Sequence, residues 1–257
     1  MRRVFLTTAI LAAATALAGC VIVVSDDGEE GKLRHSEHSL NGYTMLDREG
    51  GYSRIGGDMN LRGHIGGDLS LVSGDVDASQ LVVDGDVSIA GGNIQYVGEI
   101  GGDASVAGGH IDWNANVGRE LSLAAGSLTV RGQISGRASI AAADLTSEAD
   151  YARGLRAQGS EIHLGGSVSG PLQLVSAGDR HHNRSYRNNQ GRIEIAGIVN
   201  DGGQVCTRTL TILSGARISG DLQVWAESAP VIEGDVSAAN ITYLARDGRD
   251  CDDLIDD

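Results

Sequence analysis

Four acidic residues, Asp68, Asp86, Asp103 and Glu120, recur at spacings of 18, 17 and 17, and Arg137 follows at the same interval. Carboxylates in such a row either gather a hard cation such as calcium through several oxygens, or accept hydrogen bonds from backbone N–H groups while facing water. The second is expected here, because the Gly-Gly-x-Gly-x-Asp nonapeptide of calcium-loaded β-rolls is absent. Serines recur with the same spacing at Ser70, Ser88, Ser105, Ser122 and Ser139. A serine becomes a nucleophile when a base activates it. No His or Lys recurs beside this column, so no catalytic residue is assigned. His181 and His182 adjoin Asp179, and His110 and His163 stand apart. No spaced third ligand accompanies the histidine pair, so no metal site and no cofactor is assigned.

These columns exist because the chain repeats. Ile65, Val83, Ile100, Val117, Ile134, Tyr151 and Val168 each open a stretch of one pattern, at spacings of 18, 17, 17, 17, 17 and 17. A period that short predicts a solenoid. Counted from those residues, the fifth and seventh places are apolar and the sixth is the serine, as in Leu69-Ser-Leu71 and Val87-Ser-Ile89. Such alternation is strand, with the serines facing outward. The twelfth place (Val76, Ile94, Ile111, Leu128, Leu145, Ile162) and the fourteenth (Ala78, Tyr96, Trp113, Val130, Ser147, Leu164) should also point inward, with Tyr96 and Trp113 stacking in the core.

Glycines at the third and tenth places mark corners, where a positive φ or a missing Cβ is needed. With 38 Gly against 2 Pro, nearly every coil is free to donate backbone N–H groups to its neighbours. The fold class is therefore all-β: a single-domain parallel β-helix, or β-solenoid, with coils of about 17 residues. No coil stands alone, since ordering its backbone costs more than its few inward side chains return. The pattern extends to Ile55-Gly-Gly-Asp58, Ile218-Ser-Gly-Asp221 and Ile232-Glu-Gly-Asp235, each expected to open a further coil. Residues 177–192 have no place in it and read as a loop inserted at a corner.

Beside the serines, Ala90, Ala107, Ala124 and Ala141 hold the eighth place. The result is a flat outward strip of small side chains. It offers a contact face for another sheet, a glycan or a second copy; the alternative is a face kept small for solubility.

The amino terminus carries a different signal. Arg2 and Arg3 precede an apolar run from Val4 to Ala18 that ends in Leu17-Ala-Gly-Cys20. This resembles a bacterial lipoprotein signal peptide with its lipobox. The resemblance implies removal of residues 1–19, a lipid on Cys20 and an anchor of several acyl chains. Val21 after the cysteine is similar to the default sorting of Gram-negative lipoproteins to the outer membrane, facing the periplasm or the cell surface. The apolar run is shorter than the roughly 20 residues that span a bilayer. Losing two arginines takes the formal net charge from −14 to −16, which argues against a nucleic-acid partner.

Residues 20–50 then read as the lipidated cysteine and a polar tether, 51–245 as the solenoid and 246–257 as an acidic tail. With Cys20 committed to lipid, Cys206 and Cys251 remain as an even pair in an exported, oxidising setting. A disulfide is expected, holding the tail over the last coil; two free thiols are the alternative.

The Ile65-Gly-Gly-Asp-Leu69 series and the late Ile218-Ser-Gly-Asp-Leu222 and Ile232-Glu-Gly-Asp-Val236 segments resemble the bactofilin-type, polymer-forming β-helix proteins. The resemblance covers roughly residues 55–245 and implies a right-handed β-helix that assembles end to end without nucleotide. Two features depart from it, the export signal and the cysteine pair near one end. Ser73-Gly-Asp-Val76 also resembles the repeats of bacterial putative adhesins. The expected function is a non-enzymatic cell-envelope lipoprotein acting as a scaffold or self-associating element; the alternative is a surface adhesin or glycan-binding module. Polysaccharide lyases and hydrolases also use β-helices, but with longer coils and grooves built by several loops.

Overall fold

Each apolar-Ser-apolar segment lies as a parallel strand on the segment one period earlier. Leu69, Ser70 and Leu71 pair with Val87, Ser88 and Ile89, which pair in turn with Ala104, Ser105 and Val106. The register never slips along this face, because a one-residue shift would turn every buried side chain to solvent. The computed structural model describes residues 38–40, 42–176, 191–233 and 237–255. They form a parallel β-solenoid of about 11 turns, with no α-helix among the described residues.

The coils are counted here from the fifth-place residues Tyr52, Leu69, Val87, Ala104, Leu121, Ala138, Leu155, Leu172, Gly203, Leu222 and Ile241, which pair in succession. Each full coil has three faces. The first holds the fifth to eighth places, the second the eleventh to fourteenth, and the third leads back to the opening residue. In coils 3 and 4 the strands Val87–Ile100 and Ala104–Val117 cover all three.

The inward columns form one continuous core from Leu46 to Ala226. Tyr96 and Trp113 stack inside it, with ring centroids 4.8 Å apart and planes 23° from parallel. The Tyr151 hydroxyl and Ser147 Oγ, both buried, hydrogen-bond at 2.8 Å. Gly98 shows why some places admit only glycine: a Cβ there would stand 1.9 Å from the Leu81 carbonyl oxygen of the coil below.

Burial pushes the phenols of Tyr96 and Tyr151 well above the usual tyrosine range, and for Tyr151 the bond to Ser147 partly opposes the shift. The unfolded chain releases these protons near the ordinary pKa of about 10, while the folded chain holds them. Above that pH the unfolded state binds fewer protons, so stability must fall as pH rises. The expected loss approaches about 1.4 kcal/mol per pH unit for each tyrosine. Chemical denaturation between pH 9 and pH 11 checks this, and Tyr96→Phe or Tyr151→Phe should each remove about half of the slope.

Three boundaries differ from the sequence reading. Strand Tyr43–Arg48 pairs in parallel with Met59–Ile65 and antiparallel with His38–Leu40, so ordered strand begins inside the stretch assigned to the tether. Ile55-Gly-Gly-Asp58 does not open a coil. Ile55 pairs with Val72 at the outward eighth place and is exposed, and Arg48 is the residue aligned with Ile65. Ile232-Glu-Gly-Asp235 is likewise displaced, because Ile232 pairs with Ile212 in the fourteenth-place column. Each coil turns two glycine-rich corners, and an apolar-Gly-Gly-Asp segment suits either one. Ile218 does align with Val199 at the opening place.

The spacing from Leu172 to Gly203 is 31 residues where 17 is usual. The excess falls at 177–190, outside the described residues. Ser176 and Gly191 flank it, and the Gly191 N–H donates to the Ser160 carbonyl at 2.9 Å, so the chain re-enters the stack at the corner between the first and second faces.

Candidate functional site

The acidic column has a defined job in the backbone. At the third place of the corner, the Gly85 and Gly102 N–H groups donate to the carbonyls of Gly67 and Gly85 in the preceding coil. At the fifth place the direction reverses, and the Leu69 and Val87 N–H groups donate to the Asp86 and Asp103 carbonyls of the following coil. The fourth-place N–H between them is left without a main-chain acceptor. The carboxylate one coil earlier takes it: Asp86 N–H donates to Asp68 Oδ1, Asp103 N–H to Asp86 Oδ1 and Glu120 N–H to Asp103 Oδ1, each at 2.9 Å. Gly102 leaves room for this ladder, since a Cβ there would stand 2.1 Å from Asp86 Oδ1.

Arg119 spans two rungs, with Nη2 2.7 Å from Asp86 Oδ1 and Nε 3.7 Å from Asp103 Oδ1. That guanidinium offsets the mutual repulsion of the row. A second ladder runs along the other corner. Asp75 N–H donates to Asp58 Oδ1 at 3.2 Å, and Asn93 donates to Asp75 Oδ1 through its backbone N–H at 3.3 Å and its side-chain amide at 2.8 Å. The seating of Ile55-Gly-Gly-Asp58 concealed it from the sequence reading. The signal was Asp58 and Asp75 recurring 17 residues apart, each just after a glycine.

With its oxygens turned to backbone donors, this row is an inter-coil brace. Among the described residues no group of three or more His, Cys, Asp or Glu is placed to hold a metal ion. Asp103→Ala should cost about 1 kcal/mol, the usual net worth of one such hydrogen bond. Asp103→Asn, which keeps an acceptor, should cost less. Calcium at millimolar concentration should leave the melting temperature of the natural chain unchanged, as calorimetry would report.

Ser70, Ser88, Ser105, Ser122 and Ser139 lie in register on the outward side of the first face of coils 2 to 6. Ala90, Ala107, Ala124 and Ala141 align beside them. His163 Nδ1 lies 3.3 Å from Glu194 Oε2 and His64 Nε2 lies 3.0 Å from Asp84 Oδ2, both pairs on the outer surface. His110 is exposed in an outward column beside Asn93 and Ser127. Asp179, His181 and His182 lie outside the described residues, as does Cys20.

Cys206 and Cys251 form a disulfide, with Sγ atoms 2.01 Å and Cα atoms 5.6 Å apart. The tail it holds does not cover the last coil. It lies along the flank of the first face, where Cys206, Trp225, Cys251 and Ile255 make a small buried cluster with Val175 and Leu254. Val175, Cys206 and Trp225 are the outward eighth-place residues of coils 8, 9 and 10. The column, which is alanine in coils 3 to 6, turns large and apolar where the tail covers it. A short 3₁₀ turn, Cys251–Asp253, and the Arg246 guanidinium, which donates to the Arg249 carbonyl at 3.0 and 3.2 Å, shape the tail locally.

The two ends of the stack differ. At the first coil, the inward columns above Ile65 and Leu71 are finished by Arg48 and Arg54, and Tyr52 lies between them in sequence. The Arg48 guanidinium sits 5.3 Å from the Tyr52 ring centroid, and that of Arg62 3.5 Å from the Tyr43 ring. Strand His38–Leu40 occupies the free edge of Tyr43–Arg48.

At the last coil the inward columns end in Ile232, Ile241 and Tyr243. Ile232 is 48% and Tyr243 37% exposed, and their neighbours Val231 and Leu244 are 56% and 40% exposed. Strands Val231–Ile232 and Ser237–Ala245 each pair on one side alone among the described residues. The sequence predicts that the disulfide-held tail covers this end, whereas the tail packs on Val175, Cys206 and Trp225.

Comparison with protein families, with curated proteins and with solved structures returned no match to this chain. Its class is set by the fold itself: a parallel β-solenoid whose first coil finishes two inward columns in arginine, whose last coil exposes Ile232 and Tyr243, and whose flank is held by a disulfide.

Proposed function

We propose that the chain is a non-enzymatic lipoprotein of the cell envelope, anchored at the outer membrane through Cys20, whose solenoid is a scaffold that self-associates through its last coil. The observation that carries the association is the exposure of Ile232 and Tyr243 at the last coil, beside the half-buried Ile241, with strands paired on one side alone among the described residues. Repeat proteins need a terminal coil with a polar outer side to stay soluble, and an exposed strand edge recruits another chain. The similarity of Ile65-Gly-Gly-Asp-Leu69 and Ile218-Ser-Gly-Asp-Leu222 to the polymer-forming bactofilins points the same way. The anchor rests on the lipobox Leu17-Ala-Gly-Cys20 and its preceding apolar run.

Two measurements test the reading. Mass spectrometry of protein recovered from membranes should find residues 1–19 absent and acyl chains on Cys20, and Cys20→Ala should abolish both. Electron microscopy and sedimentation should find assemblies of more than one chain. Single chains at every concentration would remove the self-association.

The in-register serine and alanine strip of coils 2 to 6 supports a second reading, an adhesive or glycan-binding module. Binding to isolated cell wall that is lost in Ser105→Lys and Ser122→Lys, with the last coil untouched, would favour it.

A further inference from the structure

We infer that the corner of coils 6 and 7, at Arg137 and Arg153, is a binding site for a phosphate group. The inference is independent of the anchor and of the self-association proposed above.

The repeat supplies the template. In coil 5, Arg119 at the third place and the N–H of Glu120 at the fourth both turn to one anionic oxygen, Asp103 Oδ1, at 3.7 and 2.9 Å. Two coils further on, the same two places hold Arg153 and Gly154. The residue standing where Asp103 stood is now Arg137, so the chain offers a second guanidinium in place of the oxygen.

The main-chain ladder stops at the same corner. The third-place series of N–H groups donating to the preceding coil runs as far as Gly136, which donates to the Arg119 carbonyl at 2.9 Å. Neither the Arg153 nor the Gly154 N–H has an acceptor among the described residues. Gly154 is buried, where an N–H is rarely left unpaired. Successive backbone N–H groups at a turn form a concavity that suits an anion.

The two arginines are uncommitted. Arg119, Arg131 and Arg208 hold carboxylates, whereas Arg137 and Arg153 are exposed and hold none among the described residues. Glu120 precedes Arg137 by one coil in the same column and pairs with neither. On a chain of net charge −14, this corner gathers positive charge. A phosphate group has three acceptor oxygens to meet two guanidinium forks and the backbone donors together, and charge-assisted bonds of that kind are the strong ones.

Phosphorus NMR of the full chain in a non-ionic detergent tests this, with inorganic phosphate and, separately, glycerophosphoglycerol, the soluble headgroup of an anionic phospholipid, as probes. Saturable binding of at least one is expected, and the tighter of the two names the source, free phosphate or lipid headgroup. Arg137→Gln combined with Arg153→Gln should weaken it about tenfold or more. Arg137→Asp should abolish it, because that carboxylate would take the Gly154 N–H as Asp103 takes that of Glu120. Glu120→Gln should tighten it severalfold by removing a neighbouring negative charge. All three side chains are exposed, and circular dichroism would show that the variants fold.

A lack of saturable binding to either probe would overturn the site. So would an affinity unchanged in the double arginine variant, or one that fails to rise in Glu120→Gln. A loss equally large in Arg208→Gln, a remote arginine paired with Glu227, would reduce the attraction to general charge and overturn it too.

Discussion

Trp113→Ala should lower the unfolding free energy by about 3–5 kcal/mol, the range for removing a fully buried large aromatic side chain. Trp113 lies in coil 4, fully enclosed, with Tyr96 stacked on it from coil 3 and Val130 above it from coil 5. The hole cannot be filled by collapse, because each coil is fixed by ladders to both neighbours. In a one-dimensional stack the damage is local to two interfaces, so hydrogen exchange should accelerate first in coils 3 to 5. The indole Nε1 has no hydrogen-bond partner among the described residues, so Trp113→Phe keeps an aromatic ring and removes a buried N–H. That variant should lose far less than the alanine one. Denaturant unfolding of the three proteins measures the difference, and equal losses would show that the core is not packed around this ring.

Breaking the Cys206–Cys251 bond should cost about 4 kcal/mol, on the loop-closure estimate for a cross-link spanning 45 residues. The bond also decides where the tail lies. The sequence has 2 tryptophans, and their surroundings separate the two effects. Trp113 is enclosed by the core and Trp225 is covered by the tail. Reduction, or Cys251→Ser, should therefore shift tryptophan emission to the red through Trp225 alone while the circular dichroism of the strands persists. Lost stability without a red shift would mean that Ile255 and Leu254 hold the tail against Trp225 without the covalent bond.

The repeating residues were legible because a solenoid writes its geometry into the sequence once per turn. Leu71, Ile89, Val106 and Leu123 fall in one column because each must be covered by the next. Tyr96 and Trp113 could be paired across coils from their place alone. Parity, with Cys20 set aside as the expected lipid-bearing residue, singled out Cys206 and Cys251.

What failed was whatever repetition does not encode. Ile55 and Ile232 were seated by motif, and the motif fits two corners of the coil equally well. Pairing with Val72 and Ile212 breaks that tie, and pairing is a property of the stack. The brace at Asp58 and Asp75 was hidden by the same mistake. The flank position of the tail depends on a single outward column growing from Ala141 through Gln158 and Val175 to Trp225, a gradient that no one repeat contains. The open end belongs to the last coil alone, so the average repeat says nothing about it.

The polarity of the rod has a consequence for reach. Eleven turns at a strand spacing of roughly 4.8 Å make a strut roughly 50 Å long. Its two poles are chemically unlike, with Arg48 and Arg54 finishing inward columns at one and Ile232 and Tyr243 exposed at the other, so the length of the strut is also the distance between these two surfaces. That separation is fixed by the number of turns alone.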